Sequence, residues 1–316
     1  MFSLVIPIYK SEDHIDRLMR EVVRLDEQLT GKLEAVFVVD GSPDRSHAIL
    51  QERLPSLPLR SQLLLLSRNF GAFQAVTAGL EAAKGEYVAV IAADLQEPPD
   101  LILSFFSMLE RDDADVVFGT RESRSDPLVS RLLAEAFWRV YRQFVIRDMP
   151  HGGIDVFGCN RKVRNELLRF RESNTNLIAL LFWLGFRRAF IPYARVARVS
   201  GKSGWTLRKR FRYFLDSVFN FTDLPIKLLL FSGMGGLMLA VLWGAVVLVS
   251  KILGNIPVPG YTALVLGVLF FGGLTTFGLG VVGQYLWLTL QNTRNRPNYI
   301  ISDSESNPSE PADKAI

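Results

Sequence analysis

The stretch that decides the fold is EYVAVIAADLQEPPD, which covers residues 86–100. Its apolar first half predicts a β-strand over 86–94, and its two prolines are typical of the first turn of a helix, predicted over 98–111. Asp94 ends the strand and Gln96 follows two residues later. Their side-chain oxygens suit one Mg²⁺ or Mn²⁺ ion, with substrate phosphates as further ligands. The alternative is that Asp94 caps the following helix and Gln96 is merely exposed.

The rest of residues 1–120 shows the same alternation of short apolar runs with amphipathic stretches. This pattern predicts βα units and a mostly parallel sheet. The predicted strands are 3–9, 33–40, 62–67, 86–94 and 114–120, and the predicted helices are 11–29, 44–53, 71–83 and 98–111. Open α/β sheets bind their ligands beyond the carboxyl ends of the strands, so we expect the functional site at that edge.

A second acidic strand end is DGSPD, residues 40–44, which closes the second predicted strand. The Asp40 carboxylate is suited to accept hydrogen bonds from a nucleotide base or ribose, although the same letters are ordinary turn chemistry. Asp40 and Asp94 together place two acids at one edge of the predicted sheet, and this indicates a site for a nucleotide and a metal ion.

Composition excludes a purely soluble protein. The 316-residue chain is 49% hydrophobic with a mean hydropathy of +0.19, and residues 228–250 and 252–293 contain no charged side chain. Each stretch exceeds the ~20 residues that a helix needs to cross a bilayer, so membrane helices are predicted at 227–250 and 262–288. The single cysteine, Cys159, excludes an intramolecular disulfide.

Four regions follow along the chain. They are an α/β domain over 1–204, an interfacial amphipathic helix over 205–225, two transmembrane helices within 226–290, and a largely disordered tail over 291–316. Basic residues precede the first membrane helix and follow the second. The α/β domain and both termini are therefore expected on the cytoplasmic face of the plasma membrane. The basic run before the first membrane helix suits anionic lipid headgroups, and nucleic acid is disfavoured as a partner.

Six motifs occur in order: IPIY at 6–9, VVDGSPD at 38–44, LSRNFG at 66–71, ADLQEPPDL at 93–101, GTR at 119–121 and GKSGW at 201–205. Together they resemble family 2 glycosyltransferases, and more narrowly the polyisoprenyl-phosphate glycosyltransferases. That group includes dolichyl-phosphate mannose synthase and the bactoprenyl-phosphate glucosyltransferases. The resemblance implies a GT-A type α/β fold. It also implies inverting transfer of one sugar from a UDP- or GDP-linked donor to a polyprenyl phosphate on the cytoplasmic leaflet.

The resemblance also implies roles for individual residues. The nucleotide positions are Pro7, Tyr9, Asp40, Arg68, Asn69 and Gly71. Asp94 and Gln96 correspond to metal ligands for Mg²⁺ or Mn²⁺, and Asp94 and Asp155 to catalytic carboxylates. The residues suited to the acceptor phosphate are Arg121, Arg131 and Lys202.

Three positions depart from the pattern of this group. Ala92 stands where an acid is usual, Phe157 where an arginine is common, and Gly204 where a lysine is usual, with Lys202 nearby. Two alternatives therefore stay open beside the polyprenyl-phosphate transferase. One is a family 2 enzyme that acts on another membrane lipid such as diacylglycerol, and the other is a non-catalytic membrane scaffold. Stripes of small residues in both membrane helices permit close packing within one chain or in a homo-oligomer. The first stripe is Ser232, Gly236, Ala240 and Gly244, and the second is Gly272, Thr276 and Gly280.

Overall fold

The computed structural model describes most of the chain, namely residues 1–121, 142, 146, 148–150, 154–170, 172, 176–194, 218–219, 222, 224–253, 260–294 and 296–307. The chain divides into two compact units. The first is formed by Met1–Arg210 with Pro297–Ile316, and the second by Phe211–Arg296. The predictions for Arg131, Lys202 and most of the interfacial helix at 205–225 lie outside the described residues.

The first unit contains a mixed sheet of eight strands. They are β1 (Phe2–Ile8), β2 (Leu33–Val39), β3 (Arg60–Leu66), β4 (Tyr87–Val90), β5 (Val116–Arg121), β6 (Ile154–Asn160), β7 (Arg188–Tyr193) and β8 (Ile301–Asn307). Their order across the sheet is β7-β5-β6-β4-β1-β2-β3-β8. The neighbours β4, β1, β2 and β3 run parallel, whereas β6 and β8 run antiparallel to the strands beside them.

Helices pack on both faces of this sheet or follow its strands. Among the described residues, the helices of the first unit are α1 (Ile15–Gln28), α2 (Ser46–Arg53), α3 (Ala72–Ala82), α4 (Asp100–Glu110), α5 (Arg161–Leu167) and α6 (Leu177–Trp183). Helix α1 shows why they form: its apolar residues recur at three- and four-residue spacing, and this stripe is buried against the sheet. The stripe consists of Ile15, Leu18, Met19, Val22 and Leu25.

Each strand and helix predicted in the first 120 residues is present, with small shifts at the ends. A shift of four residues occurs in β4, which ends at Val90 rather than at Asp94. A turn causes this difference, because the Leu95 amide donates to the Ala92 carbonyl at 3.2 Å and bends the chain away from the sheet.

The direction of the strands brings several chain segments to one edge of the sheet. The parallel strands β1 to β4 all end there, and β5 ends there as well because it runs antiparallel to β6, which runs antiparallel to β4. For the same reason β6 begins at this edge, where Ile154 pairs with Thr120. We refer to it as the carboxyl edge.

The tail was predicted to be largely disordered over 291–316, and this prediction is wrong for residues 301–307. They form β8, which pairs antiparallel with β3 from Ser61 opposite Asn307 to Leu66 opposite Ile301. The sequence ISDSESN has neither apolar alternation nor β-branched content beyond its first residue. The backbone of the β3 edge strand supplies the ladder that stabilises it.

The second unit contains two long apolar helices, α7 (Leu224–Ile252) and α8 (Tyr261–Thr293). Among the described residues, one stretch meets the length and hydropathy needed to cross a membrane. This stretch is Leu224–Trp243, with a hydropathy of 1.8. The second predicted membrane span falls on α8, so its helical structure is confirmed and its place in a membrane stays a prediction.

The small-residue stripes predicted in these helices account for only part of their packing. A Cβ at Gly236 would lie 3.0 Å from the ring of Phe271, so this member of the first stripe marks a close approach of α7 to α8. On α8 the close approach is at Gly278, beside Leu229, rather than on the predicted stripe. A Cβ at Gly272 would meet nothing within 4 Å.

Candidate active site

The Asp40 carboxylate joins the ends of two neighbouring strands. Asp40 follows β2 directly and is buried, and its two oxygens accept the Phe70 amide at 2.7 Å and the Gly71 amide at 2.9 Å. The side-chain amide of Asn69 donates to the Asp40 carbonyl at 3.3 Å. Burial raises the pKa of the Asp40 carboxyl above its usual value, against the lowering effect of the two backbone donors. Asp40 therefore fixes the loop 67–71 that follows β3.

The end of β2 can approach the loop 67–71 this closely only because residue 41 is a glycine, since the backbone of the loop leaves no space for a side chain there. The φ of Gly41 is +52°, and a Cβ would lie 2.2 Å from the backbone carbonyl carbon of Arg68 and 2.5 Å from the Asn69 nitrogen. Gly71, with a φ of +104°, leads directly into α3. Both glycines stand at positions where a residue with a side chain is strained. The loop and the β2 end therefore touch backbone to backbone.

The predicted nucleotide residues come together at this edge. Pro7 lies in β1 opposite Val38 of β2, and Tyr9 follows β1 with 45% of its surface exposed. Arg68 is exposed and its guanidinium lies over the Phe70 ring, 4.1 Å from the centroid. An exposed aromatic ring and a stacked guanidinium are groups that bind flat rings and phosphates.

Asp44 is a residue whose importance sequence reasoning missed. Its carboxylate accepts the Ser42 hydroxyl at 2.6 Å, the Ser46 hydroxyl at 2.9 Å and the Glu12 amide at 3.1 Å. Ser42 in turn accepts the Lys10 amide at 2.7 Å. Burial acts to raise the pKa of Asp44, but these hydrogen bonds outweigh it and lower the pKa below its usual value. Asp44 thereby fixes the loop after β1 that carries Tyr9.

The segment around Asp94 is held by apolar packing and carries backbone strain. Ala93 and Leu95 are buried members of the hydrophobic core, and Gln96 and Glu97 are buried as well. Leu95 has a φ of +47°, in the left-handed region that a leucine rarely occupies. Strain of this kind, over-determined by packing, is concentrated at functional sites. The turn projects Asp94 beyond the end of β4 at the carboxyl edge.

The capping alternative for Asp94 is wrong. Helix α4 begins at Asp100, its N-cap is Pro99, and no side chain caps it. The first amides of the helix region, those of Leu101 and Ile102, donate to the carbonyls of Pro98 and Pro99 at 3.0 Å. Asp94 lies too far from this helix start in sequence to be its cap.

The donor set at 94–97 fits a divalent cation that is shared with a substrate. Across the described part of the chain, no group of three or more His, Cys, Asp or Glu side chains is placed to hold a metal ion. Asp94 and Gln96 offer hard oxygen donors, and Glu97 adds a buried carboxyl next to them. Mg²⁺ is commonly bound through one or two carboxylates while substrate phosphates supply further ligands. These residues therefore suit an ion held jointly with a diphosphate.

Two of the remaining predicted site residues, Arg121 and Asp155, lie within the described part of the chain. Arg121 is the last residue of β5, and Asp155 lies in β6 beside its start, so both belong to the carboxyl edge. Phe157, where the related group often has an arginine, is buried in β6 opposite Val90. Cys159 is also buried, which raises the pKa of its thiol to about 12 and keeps it protonated and inert.

Residues 3–171 match Glycosyl transferase family 2. The match covers the strands β1 to β6 and the carboxyl edge just described, which defines a GT-A type domain with a mixed, mostly parallel sheet. The chain belongs to Glycosyl transferase family 2, and it is a glycosyltransferase.

Relatives of similar length align with nearly the whole chain. A glycosyltransferase of unknown activity from Synechocystis is 32% identical over 95% of this chain and 94% of its own length. The SfII prophage-derived bactoprenol glucosyl transferase of Shigella flexneri is 30% identical over 96% of this chain and 97% of its own. Among solved structures, mannosyl-3-phosphoglycerate synthase from Rubrobacter xylanophilus is 16% identical, with a TM-score of 0.47 over 69% of this chain and 71% of its own. That score is too low to bear on function.

Proposed function

We propose that this enzyme transfers one sugar from a UDP- or GDP-linked donor to a polyprenyl phosphate, with inversion, on the cytoplasmic leaflet of the plasma membrane. The observation that carries the proposal is the carboxyl edge. There Asp40 follows β2, Asp94 lies beyond the end of β4, and Arg121 is the last residue of β5. The full-length similarity to a protein named bactoprenol glucosyl transferase supports a polyprenyl-phosphate acceptor.

The nucleotide half of the donor is assigned to the loops after β1, β2 and β3. In this proposal Tyr9 and Pro7 contact the base, Asp40 the base or ribose, and Arg68 and Asn69 the neighbouring groups, with Gly71 opening α3. The loops are held before substrate arrives, because Asp40 and Asp44 bind their backbone amides. Preorganised loops reduce the entropy that binding costs.

The diphosphate is assigned to Asp94 and Gln96, together with Mg²⁺ or Mn²⁺. When bound, a divalent cation would neutralise the charge that develops on the departing nucleotide diphosphate. The acceptor phosphate has a second pKa near 6, so at neutral pH most of it is already a dianionic nucleophile. The enzyme accordingly needs no strong base, and Asp155 is proposed to orient a sugar hydroxyl or to act as a weak base.

The lipid phosphate is assigned to Arg121, Arg131 and Lys202. Two anions must approach each other for transfer, and guanidinium groups that bind the acceptor phosphate offset their repulsion. The apolar helix at Leu224–Trp243 supports a membrane location, where polyprenyl lipids reside. Membrane lipids are therefore proposed partners, and the small helix faces allow a homo-oligomer.

The test uses membranes that contain the full chain, incubated with polyprenyl phosphate and radiolabelled UDP- or GDP-sugars. We expect label in the lipid fraction for one donor, released by mild acid as an intact monosaccharide. Diacylglycerol replaces polyprenyl phosphate in a parallel reaction. Label carried by diacylglycerol but not by polyprenyl phosphate would overturn the acceptor assignment, since the two products differ in acid lability.

The acceptor residues are tested by kinetics of Arg121→Ala and Arg131→Ala against varied polyprenyl phosphate. Loss of either guanidinium is expected to raise the KM for the lipid about tenfold, because a charged hydrogen bond to phosphate is lost. The KM for the nucleotide sugar should stay nearly constant. Arg111→Ala is the matched control, since Arg111 is exposed at the end of α4 and away from the carboxyl edge. Unchanged lipid dependence in both variants would remove this assignment.

A further inference from the structure

We infer that residues 297–307, which we name the C-terminal strap, position the loop 67–71 and thereby the nucleotide site. The inference rests on the proposed function of that site. The strap consists of Pro297–Ile300 followed by β8, and it begins three residues after Arg294, which follows α8 in the chain. It belongs to the first compact unit.

The strap extends the sheet at its β3 edge. Its register runs from Asn307 opposite Ser61 to Ile301 opposite Leu66, with an irregularity between Leu65 and Leu66. Leu66 is the last residue of β3, and the loop begins immediately after it. The ladder of the strap therefore ends where the loop starts.

The strap also forms hydrogen bonds with the loop 67–71 and with α3, the helix that follows the loop. The Ser67 amide, the first of the loop, donates to the Ile300 carbonyl at 2.9 Å, and the Ser302 hydroxyl donates to the Leu65 carbonyl at 3.0 Å. The Tyr299 hydroxyl donates to the Glu81 carboxylate of α3. The strap thus contacts the strand before the loop, the loop itself and the helix after it.

Contacts at its two ends anchor the strap to other parts of the first unit. The Asn298 side chain donates to the Glu172 carbonyl at 3.3 Å, and the Asn307 side chain donates to the Leu54 carbonyl at 3.2 Å. Between them the Gln51 side chain donates to the Glu305 carboxylate at 2.5 Å. A segment fixed at both ends can hold the loop start in place.

The composition of the strap favours a positioning role over a role in the hydrophobic core. Residues 301–306 are all exposed, and Ile300 and Ile301 are 52% and 42% exposed. The strap therefore buries little apolar surface, and its described interactions with β3, the loop and α3 are polar. The loop it holds at Ser67 is the same loop whose Phe70 and Gly71 amides bind Asp40. Freeing one end of this loop should loosen those two bonds.

The first experiment compares two truncated chains. One ends at Arg296 and lacks the strap, and the other ends at Asn307 and keeps it. In the chain that ends at Arg296 we expect faster hydrogen exchange in peptides spanning 67–71 and a KM for the nucleotide sugar raised about tenfold, because the site must be ordered on binding. The kcat and the KM for the lipid acceptor should change less than twofold. The chain that ends at Asn307 should match the full chain.

A point variant keeps the inference falsifiable if the shorter chain does not fold. Tyr299→Phe removes one hydroxyl and leaves the ladder intact, and we expect faster exchange at 67–71 and a KM for nucleotide sugar raised about threefold. Ser306→Ala, at the far end of β8 opposite Gln62, is the control and should behave as the unchanged protein. If the chain that ends at Arg296 folds, a peptide with the sequence 297–307 should return its KM for nucleotide sugar and its exchange at 67–71 to the values of the full chain. A scrambled peptide should not.

The two readouts separate this inference from the proposed function. Unaltered exchange at 67–71 in Tyr299→Phe overturns the positioning role, whatever reaction the enzyme catalyses. Faster exchange together with an unchanged KM for the nucleotide sugar overturns it as well, because the loop would then move without consequence for the site. A full chain that transfers no sugar contradicts the proposed function, while the exchange experiment still decides whether the strap orders the loop.

Discussion

Two acidic segments of the carboxyl edge are built in different ways. In 40–44, the carboxylates of Asp40 and Asp44 accept hydrogen bonds from the backbone amides of neighbouring loops. In 93–97, apolar side chains pack into the core and hold a strained turn that carries Asp94. Both segments looked like ligand-binding acids in the sequence. The first segment orders the loops of the site. We propose that the second supplies the negative charge that would hold a metal ion beside the diphosphate.

The largest effect is expected from Asp94→Asn. The amide keeps the size of the side chain but removes the negative charge that binds the cation, so kcat should fall about 100-fold or more. Thermal unfolding in detergent should change by no more than a few degrees, because core packing of Ala93 and Leu95 holds the turn. Transfer at the unaltered rate in this variant, at equal expression, would contradict a metal role for Asp94.

A smaller effect on activity, with a large effect on stability, is expected from Gly41→Ala. The new Cβ would overlap the backbone of Arg68 and Asn69, and together with the positive φ this should cost about 3 kcal/mol of folding free energy. The displaced loop should also raise the KM for nucleotide sugar. Gly31→Ala is the matched control, since Gly31 has a φ of +71° but nothing within 4 Å of its Cβ position. Equal destabilisation in the two variants would show that strain alone acts and that the close contact has no effect.

The smallest effect is expected from Asp44→Asn, and it should depend on pH. The pKa of Asp44 is lowered in the folded protein, so its ionised form stabilises the fold above the usual aspartate pKa, and this contribution is lost as pH falls through the folded-state value. We expect a loss of about 1 to 2 kcal/mol at pH 7 that shrinks below about pH 4. Melting curves of both proteins from pH 3 to pH 8 check this. Asp13→Asn, at an exposed position, serves as control, and a pH-independent difference would refute the ionic role.

Local patterns were sufficient to predict the strands and helices of the first 120 residues. Apolar runs such as LEAVFVV in β2 are buried along their whole length, as expected of a central parallel strand. The acids at Asp40 and Asp94 could be placed at one edge because parallel strands end together. These inferences depend on neighbours in sequence and on the general rule for ligand sites in α/β sheets.

The parts that sequence did not reveal depend on distant contacts. The ladder of β8 pairs Ser61 with Asn307, and its polar letters carry no strand signal of their own. The role of Asp44 depends on the Glu12 amide, 32 residues earlier in the chain. The left-handed φ of Leu95 is imposed by core packing and is unusual for leucine. In each case the decisive partner or constraint lies outside the local motif.

The most direct test of the division between the two segments is the binding of UDP and GDP with and without Mn²⁺, measured by calorimetry on the purified full chain. For the nucleotide that matches the donor, Mn²⁺ should tighten binding at least tenfold in the unaltered protein and in Asp44→Asn, because in our proposal Asp94 would hold the ion together with the diphosphate. In Asp94→Asn the effect of Mn²⁺ should disappear. A strong Mn²⁺ effect that persists in Asp94→Asn would contradict the account.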